Sequence, residues 1–307
     1  MRELRLKARA KINLTLDVTA RREDGYHLIK SIMQTVRLYD GIYMKRIRKK
    51  EIILKTNLVW LPTDQRNLAY RAAEIMITKF GITEGVFIEI DKRIPVAAGL
   101  AGGSADCAAV LVGMNRLFGL GLSDKELEEV AFSLGSDIPY CIQGGTVLSE
   151  GVGEILTPLK EIYPTCYVVL AKLPVSVSTA AVYASLDLDK VEQNHPDTDG
   201  MISAMGKGDL IKMGQLLGNV LETVTIPLHP KIAQIKEEMI HFGAKGALMS
   251  GSGPTVFGLF EEEEQAKEAA TAMRKKFGLK EVVATEIYHT NHDRRGEDQD
   301  GRNKVQY

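Results

Sequence analysis

Residues 95–106 read Pro95-Val96-Ala97-Ala98-Gly99-Leu100-Ala101-Gly102-Gly103-Ser104-Ala105-Asp106. These glycines, small residues and one hydroxyl stand directly before residues 107–118, whose pattern predicts a helix. Glycine permits a positive φ and lets a ligand approach the backbone closely. The start of a helix presents N–H groups without partners and a partial positive charge. Phosphate is the anion most often bound in this way, so the stretch predicts a nucleotide site.

A tight strand-to-helix turn with close backbone packing would use the same residues. The P-loop pattern requires a lysine after its last glycine, and none follows here. The dinucleotide fingerprint requires a GxGxxG spacing, which Gly99, Gly102 and Gly103 do not have. On the residues of this loop alone, the turn and the phosphate cradle therefore both remain open.

Composition is that of a globular protein with one large domain or two ordinary ones. The chain has 307 residues, of which 45% are hydrophobic and 26% are charged. Its net charge of −1 gives no electrostatic attraction to nucleic acids or to membranes. The basic run at residues 45–50 is interpreted as a solvated hairpin turn. We therefore expect neither a nucleic acid nor a membrane as partner.

Cysteine usage and terminal patterns favour a cytoplasmic protein. Cys107, Cys141 and Cys166 show no CxxC spacing, so neither a zinc site nor a disulfide framework is predicted. Reduced thiols fit a cytoplasmic setting. The N-terminal residues lack the apolar region of a signal peptide, and no apolar run is long enough to cross a membrane.

Hydropathy patterns predict strands mixed with helices. Strands are predicted over residues 4–19, 28–37, 41–46, 85–91, 167–173, 246–250, 255–260 and 281–288. Helices are predicted over residues 67–80, 107–118, 123–135, 179–186, 209–221, 229–242 and 262–277. The closing order of strand, strand, helix and strand favours an antiparallel α+β layer. Residues 291–307 are polar and are predicted to be disordered.

Three motifs together resemble those of the GHMP kinases, the family of galactose, homoserine, mevalonate and phosphomevalonate kinases. The first is the loop at residues 95–106, which matches the pattern P-x-x-x-G-L-x-x-S-[SA]. The second comprises Ala10-Lys11-Ile12-Asn13-Leu14 and Asp24-Gly25-Tyr26-His27, and the third is Gly246-Ala247-Leu248-Met249-Ser250-Gly251-Ser252-Gly253-Pro254-Thr255. Their order along nearly the whole chain favours the family over a chance match.

The resemblance implies an α+β fold with two domains and the active site in the cleft between them. A ribosomal-S5-domain-2-like N-terminal domain over residues 1–160 would bind ATP and carry catalysis. A ferredoxin-like C-terminal domain would cover residues 161–290, followed by the tail at 291–307. The protein would be a monomer or a homodimer.

The same resemblance assigns the reacting groups. Asp137, in the run G-S-D-I-P, matches the general base that removes the proton of the acceptor alcohol. Lys11 matches the catalytic lysine, whose charge favours the ionised form of Asp137 and stabilises the transferred group. Read without the family, Asp137 is typical of a turn and Lys11 of a strand surface.

A narrower combination of motifs, A-K-I-N-L, D-G-Y-H and G-S-D-I-P, resembles a single branch of this family. That resemblance implies an acceptor in which cytidine diphosphate is linked to methylerythritol, phosphorylated at its 2-hydroxyl in non-mevalonate isoprenoid synthesis. Tyr26 and Tyr183 match aromatic positions around the cytosine, and His27 would hydrogen-bond the base. Asn13 shares a strand face with Lys11 and would orient the hydroxyl or the lysine. Tyr183 is equally typical of a helix core.

ATP and Mg²⁺ are the implied co-substrate and metal. The residues assigned to ATP are Pro95, Val96, Ala97, Ala98, Gly99, Leu100, Ala101, Gly102, Gly103, Ser104 and Ala105. No carboxylate cluster predicts a metal site built by the protein, so Mg²⁺ would rest on phosphate oxygens, with the hydroxyl of Ser104 nearby. The segment 250–253 would bring backbone and a hydroxyl close to the substrate's phosphates or to the glycine loop, or it would form a plain hairpin turn.

Two departures and two rival functions accompany this interpretation. Ala101 replaces a frequent glycine, which is tolerated if its φ is negative, and Ala105 replaces a frequent serine. The near rival is another GHMP kinase, such as a homoserine or mevalonate kinase. The far rival is a catalytically silent sensor, which the presence of both Lys11 and Asp137 disfavours.

Overall fold

The computed structural model describes residues 1–159, 166–191 and 195–290. The tail predicted to be disordered, residues 291–307, lies outside them. The strands of the described residues are β1 (Glu3–Arg21), β2 (His27–Ile47), β3 (Ile52–Thr56), β4 (Gly85–Asp91), β5 (Thr146–Gly151), β6 (Ile155–Pro158), β7 (Tyr167–Lys172), β8 (Gly218–Asn219), β9 (Gly246–Met249), β10 (Thr255–Phe260) and β11 (Glu281–Glu286).

The helices of the described residues are α1 (Leu68–Lys79), α2 (Gly102–Phe118), α3 (Asp124–Phe132), α4 (Ile138–Gln143), α5 (Thr179–Ala184), α6 (Leu188–Val191), α7 (Thr198–Lys207), α8 (Leu210–Leu216), α9 (Glu222–Leu228), α10 (Lys231–His241) and α11 (Glu263–Phe277). None of them is long and apolar enough to cross a bilayer. Ser123 begins α3 with the capping box that its spacing to Glu126 predicts.

A long antiparallel pair, β1 and β2, forms the centre of the first sheet. The second half of β2 pairs with β4 and its first half with β5, while β3 runs parallel to β4. The short strand β8 comes from much later in the chain and pairs with β1 at Thr15 and Leu16. This sheet therefore brings the second half of the chain against the strand that carries Lys11.

The second sheet has the order β11-β7-β10-β9, and all its neighbours are antiparallel. In chain order its elements with α10 and α11 read βαββαβ, the ferredoxin-like arrangement. The antiparallel α+β layer predicted from the sequence is confirmed.

Strand β1 passes between two apolar cores. One core packs α1, α2 and α3 against the first sheet, with residues such as Met44 and Leu111 fully buried. Another core joins Ile12 and Leu14 of β1 to Phe257 of the second sheet. Because β1 is buried on both faces, its polar side chains need partners inside the protein.

Two strand predictions were wrong for a physical reason. Residues 28–37 and 41–46 are one strand, β2, and not two. Asp40 interrupts its apolar pattern because its buried carboxylate accepts hydrogen bonds from the N–H groups of Arg93 and Ile94. The basic run at 45–50 is not a hairpin, since β4 lies between β2 and β3.

Helix limits also differ from the predictions. Helix α2 begins at Gly102, before the predicted residue 107, because glycine and alanine carry no apolar periodicity. The helix predicted over 209–221 ends at Leu216, and β8 follows. The prediction over 229–242 corresponds to α10, which begins after Pro230.

Candidate active site

Lys11 and Asp137 face each other from different elements. Lys11 lies on β1 and is 4% exposed. Asp137 is the N-cap residue of α4, which Pro139 helps to start. The Nζ atom of Lys11 lies 3.6 Å from Oδ2 of Asp137, whose side chain is 35% exposed. A buried ammonium thus lies beside a carboxylate that solvent, and hence a ligand, can reach.

Asn13 holds the Lys11 ammonium. Its Oδ1 accepts a hydrogen bond of 2.8 Å from Nζ of Lys11 and one of 3.1 Å from the N–H of Gly251. Its Nδ2 donates to Oγ of Ser31 at 2.9 Å. An amide oxygen has two lone pairs, so Lys11 and Gly251 together use its acceptor capacity. Asn13 was expected to orient either the substrate hydroxyl or Lys11. This geometry favours Lys11.

The glycine loop lies between β1 and the turn at 250–253. The carbonyl of Leu100 accepts from the N–H of Lys11 at 3.1 Å, and the carbonyl of Gly99 accepts from Oγ of Ser250 at 2.9 Å. A Cβ on Gly99, whose φ is +72°, would lie 2.2 Å from the carbonyl oxygen of Ser250. Three motifs that are distant in sequence therefore meet at one place.

The first turn of α2 has the features of an anion site. Ala101, the residue before it, has no side-chain acceptor to cap the first N–H groups. A Cβ on Gly103 would meet only Leu68, at 3.9 Å, so space remains beside this backbone. Free N–H groups, the helix dipole and that space suit a phosphate.

Ala97 and Ala101 adopt left-handed backbone conformations, with φ of 51° and 55°. The condition under which Ala101 was expected to be tolerated, a negative φ, is therefore not met. Glycine is frequent there because it adopts this conformation freely, whereas a Cβ costs about 1–2 kcal/mol. Ala105, the other departure, is a buried residue of α2.

A buried ionic group beneath α2 was missed from the sequence. Nζ of Lys92 donates to Asp40 and, at 2.7 Å, to Oδ2 of Asp106. Burial raises the pKa of Asp106 to about 8, although the Lys92 charge opposes that rise. A Cβ on Gly102 would lie 3.1 Å from this Nζ atom, so the group supports the start of α2. The only signal in the sequence is the position of Asp106 at the end of the glycine motif.

Two of the three residues expected around the cytosine lie close together. The rings of His27 and Tyr183 lie 5.3 Å apart between centroids, tilted by 42°. Tyr26, the residue directly before His27, is 64% exposed. Burial and then the charge of Arg21 lower the pKa of His27, which favours its neutral form. Burial and then the Asp137 charge raise the pKa of Tyr183, so this phenol stays protonated and lies within the field of Asp137.

The turn at 250–253 also contacts the helix that carries Tyr183. Oγ of Ser252 lies 2.8 Å from Oγ1 of Thr179, the first residue of α5. The turn does join two strands, β9 and β10, yet it also contacts the glycine loop and Asn13.

Metal-binding potential is limited in this part of the chain. Among residues 1–159, 166–191 and 195–290, no group of three or more His, Cys, Asp or Glu residues could hold a metal ion. Ser104, whose hydroxyl was expected near Mg²⁺, lies in the first turn of α2.

Two family profiles match the chain. The profile of the GHMP kinases N terminal domain matches residues 67–145, and that of the GHMP kinases C terminal matches residues 201–279. The first range includes the glycine loop and Asp137, and the second includes the turn at 250–253.

Individual proteins give closer matches. A 4-diphosphocytidyl-2-C-methyl-D-erythritol kinase of Lachnospira eligens is 49% identical over 288 residues, which are 94% of this chain and 99% of that protein. A crystal structure of a 4-(cytidine 5'-diphospho)-2C-methyl-D-erythritol kinase aligns with a TM-score of 0.79 and 31% identity, covering 92% of this chain and 99% of that one. A homoserine kinase from Cytophaga hutchinsonii, at 21% identity and a TM-score of 0.76 over 94% of this chain and 95% of its own, shows the same fold.

Proposed function

This chain belongs to the GHMP kinase family, among the 4-diphosphocytidyl-2-C-methyl-D-erythritol kinases, and we propose that it transfers the γ-phosphoryl group of ATP to the 2-hydroxyl of that substrate. The enzyme class is that of its relatives, an ATP-dependent kinase acting on a small molecule. The product would be ADP and the 2-phosphate, an intermediate of non-mevalonate isoprenoid precursor synthesis.

The pairing of Lys11 with Asp137 is the observation that carries the proposal. Asp137 accepts the proton of the substrate hydroxyl, a contribution of about 10²–10⁴-fold for general-base catalysis. Lys11 is held on Asn13 and not on Asp137, so the Asp137 carboxylate retains oxygen lone pairs for that hydroxyl. The ammonium also offsets the negative charge that develops on the transferred group.

ATP would bind along residues 95–105, with its phosphates on the N–H groups of the first turn of α2. The open position at Gly103 and the uncapped N–H groups after Ala101 support this placement. Mg²⁺ keeps several waters and takes phosphate oxygens as ligands, so one protein hydroxyl suits it. Ser104 would supply that hydroxyl, and the metal would neutralise charge on the transferred phosphoryl group.

The cytosine would lie among Tyr26, His27 and Tyr183. The exposed ring of Tyr26 provides a face for stacking, and His27 in its neutral form can both donate and accept a hydrogen bond. Such a pocket distinguishes this substrate from the bare alcohols mevalonate and homoserine, because another acceptor leaves these groups without partners.

We further propose that catalysis and ATP binding belong to residues 1–160 and that residues 161–290 complete the site from the other side. The ion pair of Lys11 with Asp137 lies within the first range, and the contact of Gly251 with Asn13 joins the second range to it. A cytoplasmic location, no nucleic-acid or membrane partner, and a monomer or homodimer complete the proposal.

An ADP-release assay with a panel of alcohols tests the function. We expect turnover with 4-diphosphocytidyl-2-C-methyl-D-erythritol and at least about 10²-fold lower kcat/KM with mevalonate or homoserine, since discrimination by unpaired polar groups can reach about 10⁴–10⁵-fold. Turnover of mevalonate or homoserine without the cytidylyl substrate would assign the chain another activity.

A further inference from the structure

Asn219 is hydrogen-bonded to the turn at 250–253, which contacts the candidate active site. It lies at the end of β8 and is 7% exposed. Its Nδ2 donates to the carbonyl oxygens of Met249 and Gly251, each at 2.8 Å, and its Oδ1 accepts from the N–H of Leu221 at 3.0 Å. Both amide hydrogens are therefore committed to the backbone on the two sides of Ser250.

Gly251 carries this constraint to Lys11. Its carbonyl is held by Asn219, and its N–H donates to Oδ1 of Asn13, which also accepts from Nζ of Lys11. Gly251 has a φ of +55°, and a Cβ there would lie 3.2 Å from the carbonyl oxygen of Gly99. The direction of this N–H group thus depends on contacts on both sides of the residue.

Glu222 holds the entry to the same turn through a further hydrogen bond. Its Oε1 accepts from the N–H of Met249 at 2.9 Å, and its Oε2 pairs with Nζ of Lys236 at 2.5 Å. Residues 219–222 therefore hold the entry to the turn through both a carbonyl and an N–H group.

We propose that Asn219 is a positioning residue for the phosphoryl transfer, acting through Gly251 and Asn13 on the ammonium of Lys11. Without the two donors of Asn219, the backbone from Met249 to Gly251 can shift, and the N–H of Gly251, which lies in the peptide between these two carbonyls, no longer holds the Asn13 amide in place. Lys11 then loses the acceptor that keeps it beside Asp137. The effect on turnover rests on the function proposed above, whereas the hydrogen-bond relay itself does not.

The relay predicts a loss in kcat more than in KM. Asn219 bonds the carbonyls of Met249 and Gly251, whereas the contacts of the turn with the glycine loop and with α5 are made by the hydroxyls of Ser250 and Ser252, so we expect both substrates still to bind. Misplacement of a reacting group acts on the transition state, and about 1 Å can cost on the order of 10²-fold.

The test compares two asparagine-to-aspartate variants. Asn219→Asp keeps the size of the side chain but sets an acceptor against two carbonyl oxygens. Asn115→Asp makes the same change at the far end of α2, where Nδ2 donates to the carbonyl of Leu122 at 2.8 Å. We expect N219D to lower kcat at least tenfold with KM values within threefold, and N115D to keep kcat within twofold. Equal losses in both variants, or a loss confined to KM, would overturn the proposal.

A double-mutant cycle separates positioning from general destabilisation. In an Asn13→Ala background the relay is already broken, so N219D should lower kcat less than twofold further. Additive losses would show that Asn219 does not act through Asn13. If N219D does not fold, Asn219→Ser takes its place in the cycle, because its hydroxyl keeps one donor hydrogen.

Hydrogen exchange gives a readout that needs no substrate. We expect the Gly251 amide to exchange at least tenfold faster in the Asn219 variant than in the wild type, and N115D to leave it unchanged. Unaltered exchange at Gly251 in the Asn219 variant would disprove the relay. A wild-type enzyme that fails to phosphorylate the cytidylyl substrate would instead disprove the proposed function.

Discussion

The Nζ atom of Lys11 lies 3.6 Å from Oδ2 of Asp137 and 2.8 Å from Oδ1 of Asn13. The ammonium is thus hydrogen-bonded to the neutral amide and only electrostatically paired with the carboxylate. This arrangement keeps the charge next to Asp137 and leaves the oxygen atoms of that carboxylate available, as its proposed role as general base requires.

Replacing Lys11 by methionine separates catalysis from stability. Lys11→Met preserves most of the side-chain volume and removes a charge whose burial costs free energy. We expect kcat to fall by about 10²–10³-fold, as for loss of an electrostatic stabiliser. Thermal unfolding should show a melting temperature that is equal to or above that of the wild type. A large drop in melting temperature with kcat retained would identify Lys11 as a structural residue.

Tyr26 offers a test of the cytosine site. Because its ring is 64% exposed, Tyr26→Ala should leave the melting temperature unchanged. Stacking on a base is worth about 1–3 kcal/mol, so KM for the cytidylyl substrate should rise by about 5–150-fold. The KM for ATP in the same variant is the internal control. A loss in kcat alone would exclude stacking on Tyr26.

The pH dependence of substrate binding should reflect His27. Burial and Arg21 lower the pKa of His27, so the folded protein binds this proton more weakly than the unfolded chain does. The contribution of neutral His27 to the free energy of unfolding is therefore complete above the ordinary pKa of 6.5 and is lost as the pH falls through the lower folded-state pKa. Protonation of the folded enzyme at that lower pH also removes the ring acceptor that the base would use. We expect KM to be constant from pH 8 to about 6.5 and to rise at lower pH.

Two variants serve as controls for His27. His27→Asn should abolish the rise of KM at low pH, and Arg21→Ala should move that rise toward higher pH. A rise of KM that begins well above pH 6.5 would contradict the neutral-imidazole interpretation.

Gly103 tests the phosphate site at the start of α2. Alanine in a helix interior is favoured over glycine by about 0.5–1 kcal/mol, and the Cβ would meet only Leu68. We therefore expect Gly103→Ala to raise the melting temperature while it raises KM for ATP at least tenfold. Gly206→Ala, in α7 with no neighbour within 4 Å, is the matched control that should raise stability alone. Unchanged KM for ATP in G103A would place the phosphates elsewhere.

The family and the α+β fold could be predicted because their signals are contiguous. The glycine loop at 95–106, the run Asp24-Gly25-Tyr26-His27 and the motif at 246–255 can each be recognised from a few consecutive residues. Strand β8 could not be found in this way, because it pairs through just Gly218 and Asn219. The strand matters because Asn219 hydrogen-bonds the distant turn at 250–253, and no local sequence pattern encodes that contact.

The buried ionic group shows the same limit. Asp40 and Lys92 are 52 positions apart and carry no periodic signal, although Lys92 joins Asp40 to Asp106 of α2. The conformation of Ala101 was also beyond the sequence, because alanine ordinarily avoids a positive φ and only the surrounding contacts impose it. The assignments to Lys11, Asp137 and the nucleotide-binding residues remain predictions.

The most direct test of the account is ³¹P NMR of the reaction of ATP with 4-diphosphocytidyl-2-C-methyl-D-erythritol. The wild type should yield ADP and a new phosphate monoester at the 2-position. Asp137→Asn should bind the substrate with a similar Kd and form this product at least 10²-fold more slowly, the lower range of a lost general base. No monoester with the wild type, or an unchanged rate with D137N, would contradict the account.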